Sequence, residues 1–322
     1  MKKLVHLLFI AILINSYKPS LAQNFHIINT FHIASAGGWD YLAIGPAKKL
    51  YVSHGTQVNI LSLETGDSLG FIPNTPGVHG IAFDKDHNKG FISNGRGNNV
   101  TVFDLLTNAF ITQIPTGANP DAIFYDSFSK HIITCNGRGK NLSIIDPATN
   151  QLLDSIDVGG KPETAVSNGA GMIYVNIEDK NEILAINMKT NKLEAHWSLS
   201  PAEEPTGLAF DNQTNRLFAG CGNKLLAVVD ASNGKVITTL PIGDGCDGVG
   251  FDRTTRNIFA SNGEGTMTAY KEKSADKFEL IGTIPTKRGA RTITVDEQSH
   301  RIIFPQLNLK NPIRQQRMHD RK

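Results

Sequence analysis

Beyond residue 22 the chain is a succession of short apolar runs separated by polar turns, with no segment of helical period. β-Branched and aromatic residues fill the runs while Gly, Asn, Asp and Pro fill the gaps, so each run is expected to be a strand bounded by turn chemistry. One run ending in an acid or its substitute recurs: Ile81-Ala-Phe-Asp84, Ile123-Phe-Tyr-Asp126, Ala165-Val-Ser-Asn168, Leu208-Ala-Phe-Asp211, Val249-Gly-Phe-Asp252 and Ile293-Thr-Val-Asp296. The copies stand about 42 residues apart, and Leu42-Ala-Ile-Gly45 precedes them as a seventh. Each is followed by a polar turn and a second run, as in His131 to Asn136, and then by a third, as in Leu142 to Asp146. A Thr-Asn or Asn-Gly turn, such as Thr107-Asn108 or Asn233-Gly234, introduces a fourth.

Four antiparallel strands per unit without a helix describe a β-propeller blade. A single blade exposes two apolar faces, whereas seven around an axis bury both faces of each. The expectation is an all-β, seven-bladed β-propeller of four-stranded antiparallel blades over residues 23–309. The seventh unit is short, because Lys310 to Arg317 does not alternate as a strand should. His26 to Ile33 reads as a fourth strand lacking its own first three, so the ring is expected to be closed by this N-terminal strand, leaving no open edge there.

Leu50-Tyr-Val-Ser-His54, Ile173-Tyr-Val-Asn176, the strand-plus-Asp endings and the Val-Phe-Asp and Ile-Ile-Asp strands resemble the bacterial YVTN-repeat, YncE-like family of seven-bladed propellers. The resemblance covers roughly residues 37 to 306. It implies that the first strand of each blade lines the central channel.

The ends of the chain change the charge picture. Met1-Lys2-Lys3, the apolar run Leu4 to Ile14 and the small-x-small site Ser20-Leu21-Ala22 read as a secretory signal peptide over residues 1–22. No cysteine follows the site, and no later run is long enough to span a bilayer, so a periplasmic or secreted protein without membrane insertion after cleavage is expected. The formal charge of +2 becomes −1 once Lys2, Lys3 and Lys18 leave with the leader. Setting aside the basic tail at 310–322 leaves −5 for the body, which argues against nucleic acid as a partner. With 3 cysteines in 322 residues a disulfide framework is excluded; Cys221 and Cys246 are either a lone disulfide or a free pair, with Cys135 unpaired.

Candidate chemistry gathers at one end of the blades. Because the start of a first strand and the end of a second share one face of a hairpin, Asp40, His79, Asp121, Glu163, Thr206, Asp247 and Arg291 form one ring of positions. His54, Asn94, Asn136, Ile177, Cys221, Asn262 and Gln306 form a second. Arg96 and Arg138 join from two Asn-Gly-Arg-Gly turns, and Trp39 is placed to stack on a ligand. The first reading is a monomeric, non-enzymatic propeller binding a small polar ligand or a protein through Asp40, His79, Asp121, Glu163, Asp247, Arg291, Arg96, Arg138 and Trp39. A second is a metal-assisted lyase or hydrolase with Asp40, His54 and His79 around a divalent metal and Glu163 or Asp247 as base. A third, single-stranded nucleic-acid binding, is suggested by the family resemblance with Arg96, Arg138 and Arg291. Asp84-x-Asp86-x-Asn88 has the start of a calcium loop but lacks its glycine and closing glutamate, so a hairpin turn is expected there. Trp197 is assigned to packing between blades.

Overall fold

The protein is described from a computed structural model covering residues 25–35 and 37–305; the leader expected at 1–22, Gln306 and the tail expected at 310–322 lie outside the described residues. Among the described residues, twenty-six strands form six four-stranded sheets and a two-stranded seventh, each antiparallel with strands in chain order. The blades span residues 39–72, 78–115, 120–157, 162–198, 205–241, 246–285 and 294–303. Their first strands are Trp39–Gly45, Val78–Asp84, Pro120–Asp126, Pro162–Ser167, Pro205–Asp211, Cys246–Asp252 and Thr294–Asp296. These first strands pack on one another around the axis, and the last of them touches both the sixth and the first, so the ring closes. This is the seven-bladed arrangement expected from the repeat, with a hairpin of the last blade among the described residues.

The recurring acid has a local cause. Asp84 accepts from the amide of Asp86, Asp126 from Phe128 and Ser129, Asp211 from Gln213 and Asp252 from Thr254 and Thr255. Each is an Asx turn that satisfies the amides of the hairpin joining first and second strands. Asp84 also pairs with His87 at 2.5 Å, and Asn88 adopts a left-handed φ of 54°, so the sequence with the start of a calcium loop is a turn, as expected.

Second and third strands carry the core, which is laid down in apolar layers between neighbouring blades. Tyr174 stacks against Trp197 with ring centroids 5.6 Å apart, and the ring of Trp197 covers Gly234 of the next blade, which places that tryptophan in inter-blade packing. Cys135, Cys221 and Cys246 are free and buried; the thiols of Cys221 and Cys246 turn to the carbonyls of Ala219 and Gly248, and the disulfide alternative is not taken.

The amino-terminal segment spans the seventh position in a different way from the one expected. Residues 25–35 form no strand. Phe25 meets Phe259 of blade six edge to face at 5.9 Å, while Phe31 lies over Gly66 and, with Ile33, joins the core of blade one. The segment is an apolar strap rather than a fourth strand, because its alternating apolar residues find side-chain partners on two blades. The ring itself is joined by Thr292, whose hydroxyl donates to the Asp40 carbonyl at 2.6 Å across 252 positions.

Candidate ligand site at the channel mouth

The strand register explains why polar side chains converge. In blade one Trp39 pairs with His54 and Leu42 with Val52, so residues 40 and 41 face a single residue on the second strand. The same β-bulge recurs between Val78 and Ile81, Pro120 and Ile123, Pro162 and Ala165, and Pro205 and Leu208, and a shift falls at Asp247 in blade six. A bulge bends its strand and re-aims the extra side chain. Asp40, His79, Asp121, Glu163, Thr206 and Asp247 are the leading bulge residues of six consecutive blades. Gly80 and Gly207 sit beside them, where a Cβ would meet the next blade's backbone at 3.2 and 2.5 Å, so adjacent first strands approach too closely for a side chain.

Three of these residues form a cluster. His79 Nδ1 lies 2.5 Å from Asp40 Oδ2 and 3.6 Å from Asp121 Oδ1, and all three residues can bring one ligand atom within 4.8 Å of the others. Burial opposes protonation of His79, but the Asp40 hydrogen bond and the two carboxylate charges raise its pKa above the ordinary value. Asp121 is pushed up to about 6, first by burial and then by Asp40 and Asp247, against the pull of His79. Asp247 is also raised by burial, which outweighs Arg291, whose Nε stands 3.2 Å away.

On the blade-four side, Lys161 Nζ sits 2.5 Å from Glu163 and also contacts Glu178. Burial, the Asp121 charge and a hydrogen bond with Glu178 hold the Glu163 carboxyl well above the usual range. Glu178 is held below that range, its hydrogen bonds to Glu163 and Lys161 overcoming the cost of burial. Thr206 turns away, donating to the Cys246 carbonyl at 2.7 Å.

Tyr41, which the sequence reading passed over, completes the site. It belongs to blade one yet packs against the core of blades three and four, so its ring lies across the channel. Burial raises its phenol well above the ordinary value, and the charges of Asp121, Asp40, Glu163 and Asp247 add to that. Its phenol therefore stays neutral among the carboxylates. Lys161 was passed over as well; its signal was its place just ahead of Pro162, where the first strand begins.

Other expected residues lie elsewhere. His54 is not in the metal-type cluster: at 1% exposure its Nε2 donates to the Gly37 carbonyl (2.8 Å) and its Nδ1 accepts from the Ser35 hydroxyl (2.5 Å), so both ring nitrogens are engaged. Trp39 is already stacked on His54, with centroids 3.7 Å apart and planes 3° from parallel, so that face of its indole is taken. Asp121 occupies the place expected for His54 because the bulge, rather than the end of the second strand, points to the axis. The second expected ring is buried: Asn94, Asn136 and Asn262 donate to Thr101, Ser143 and Thr268 of their own blades and brace the following turn. Arg96 and Arg138 are exposed, and Arg138 lines a separate shallow depression with Lys140, Ser155 and Asp157. Arg291 reaches the mouth at 55% side-chain exposure.

Comparison with solved structures returns propellers. A chain of Kuenenia stuttgartiensis hydrazine synthase superposes with a TM-score of 0.72 at 13% identity, covering 89% of this chain and 100% of its own. The WD40 repeats of RRP9 superpose at 0.73 with 9% identity over 84% of this chain and 88% of theirs, and a U3-55K structure at 0.72 with 9% identity over 84% and 89%. No family model matches the chain, and no curated protein does. Among the described residues no helix is long and apolar enough to cross a membrane. At these identities the likeness concerns the fold, and the chain is a β-propeller.

Proposed function

We propose that this chain is an exported, non-enzymatic propeller of the YVTN-repeat, YncE-like kind, which takes a cationic group of a small ligand or of a protein partner into its channel mouth. One observation carries the reading: bulges in four blades present Asp40, Asp121, Glu163 and Asp247, and the charges of all four act on the phenol of Tyr41. Arg291, Lys161 and His79 are the cationic partners of this set, and Asp121 and Asp247 are raised first by burial and then by neighbouring carboxylates, so a further positive charge in the mouth favours their ionised forms. A cation entering the mouth regains the electrostatic energy that burial withholds, and low-dielectric walls focus the field that draws it in. The same field repels phosphates, which weighs against single-stranded nucleic acid.

Calorimetric titration with spermidine and with an arginine-containing tripeptide, each against citrate, tests the reading. Saturable binding of the cations alone is expected, weakening with salt and falling about tenfold or more in Asp247→Asn, the loss of one charged contact being worth about 1.5–3 kcal/mol. Absence of cation binding, or equal binding by Asp247→Asn and the parent, overturns it.

A further inference from the structure

We infer that Asp40, His79 and Asp121 hold a first-row divalent metal ion of the manganese-to-zinc series in the channel mouth, an inference that rests on reading the mouth as a ligand site. The three side chains come from consecutive blades, each as the leading residue of its bulge, so the ring geometry itself brings them together. Their donor atoms converge on the imidazole Nδ1, with one carboxylate oxygen at 2.5 Å and the other at 3.6 Å. A protonated Nδ1 carries one hydrogen and can satisfy only one of them. It serves Asp40, and Asp121 is left at a distance too long for a hydrogen bond in a mostly buried setting. An ion in place of that hydrogen satisfies both carboxylates at once.

The metrics suit such an exchange. Ligand atoms around a tetrahedral zinc with bonds of about 2.1 Å stand about 3.4 Å apart, a value between the two separations present. One imidazole nitrogen with two carboxylate oxygens is a borderline-to-hard set, which matches manganese, cobalt or zinc better than calcium or magnesium. With a neutral imidazole the trio carries two negative charges, which a divalent ion cancels. Three protein ligands leave a coordination position free for a molecule arriving along the channel.

Two hydrogen bonds from other blades fix the backbones of the carboxylate ligands. The Ser93 hydroxyl donates to the Asp121 carbonyl at 2.5 Å, and the Thr292 hydroxyl to the Asp40 carbonyl at 2.6 Å. The far side of the imidazole faces Gly95, where a Cβ would lie 2.5 Å from Nε2, so this turn leaves room for the ring with Nδ1 turned to the acids. Supports of this kind hold ligands in place at metal centres.

The test uses the full chain freed of metal by chelator and then titrated with Mn2+ and, separately, Zn2+, following uptake by elemental analysis and bound Mn2+ by paramagnetic resonance. The parent and Glu279→Gln, a substitution on the exposed outer strand of blade six, are expected to take up one ion per chain. His79→Asn and Asp121→Asn are expected to lose affinity at least about tenfold while keeping the parent's circular dichroism and thermal unfolding. No stoichiometric uptake by the parent, or unchanged uptake by both ligand variants, overturns the metal site. If the ligand variants fail to fold, Asp40→Asn and the hyperfine signature of nitrogen-bound Mn2+ in the parent decide, absence of the nitrogen coupling counting against the site. Spermidine binding that persists in a parent without metal uptake removes the ion and leaves the cation-binding mouth standing.

Discussion

Every cysteine in this chain is shut away from solvent, and that has a direct chemical readout. Burial pushes the Cys221 thiol up to about 12 and raises those of Cys135 and Cys246 as well, so the thiolate needed for reaction is scarce at neutral pH. Ellman's reagent is expected to find no rapidly reacting thiol in the native protein and all three in denaturant; prompt native labelling would contradict the buried, reduced assignment. Glu272 offers a second readout away from the mouth. Buried beside Asp211, with Arg256 at 3.2 Å and the Thr214 hydroxyl donating to it, it is raised to about 7, burial outweighing the cation. A carboxyl that binds its proton more tightly folded than unfolded adds stability below its unfolded pKa, and that stability is lost as pH rises through its folded one. Thermal stability should therefore fall by a few degrees between pH 5 and 8, and Glu272→Gln should flatten that fall. An unchanged slope in the variant would remove Glu272 as its source. Individual residues were also where the sequence misled. Alternation puts residues 40 and 41 on opposite faces, and the bulge that sends Asp40 into the mouth and Tyr41 across it has no signature of its own. His54 looked like a ligand from its place at a strand end, whereas the ring of Trp39 and the Gly37 carbonyl hold it.

The first strand of each blade was legible almost to its ends, because apolar alternation and the Asx-turn acid mark it on both sides. What could not be read was the crowding between first strands. Gly207 stands where a Cβ would lie 2.5 Å from the Val249 amide nitrogen and 2.7 Å from the Gly248 carbonyl carbon. Backbone cannot yield there as a flexible side chain would, so Gly207→Ala is expected to cost about 2 kcal/mol or more by chemical denaturation. A cost near that of a surface substitution would mean that the blades have slack at the axis. The seventh blade shows the opposite limit of legibility. Its short length was visible in the sequence, but an apolar segment such as 25–33 reads alike as a strand or as a strap, because alternation serves a sheet edge and two side-chain pockets equally well.

The closed ring depends on two joints around that short blade, one polar and one apolar. Removing the hydroxyl in Thr292→Val deletes its bond to the Asp40 carbonyl and should lower unfolding free energy by about 1 kcal/mol, leaving the carbonyl poorly satisfied. Replacing Phe25 and Phe31 together by alanine removes the strap's hold on Phe259 and on Gly66 and should cost several kcal/mol, about 1–3 for each partly buried ring. If the double variant unfolds like the parent, the strap adds nothing to closure. The repeat count made this architecture plain from the outset, while the proposed site rests on side chains drawn from distant parts of the chain. The Thr292 bond joins the last blade to the residue that presents Asp40, so the pocket straddles the seam where the polypeptide's first and last blades meet. A chain in which that seam is not yet sewn has every acidic residue up to Asp247 but lacks their shared opening; the proposed receptor is thus assembled in one step, when the seventh blade docks on the first, and cation binding would serve as a reporter of that docking.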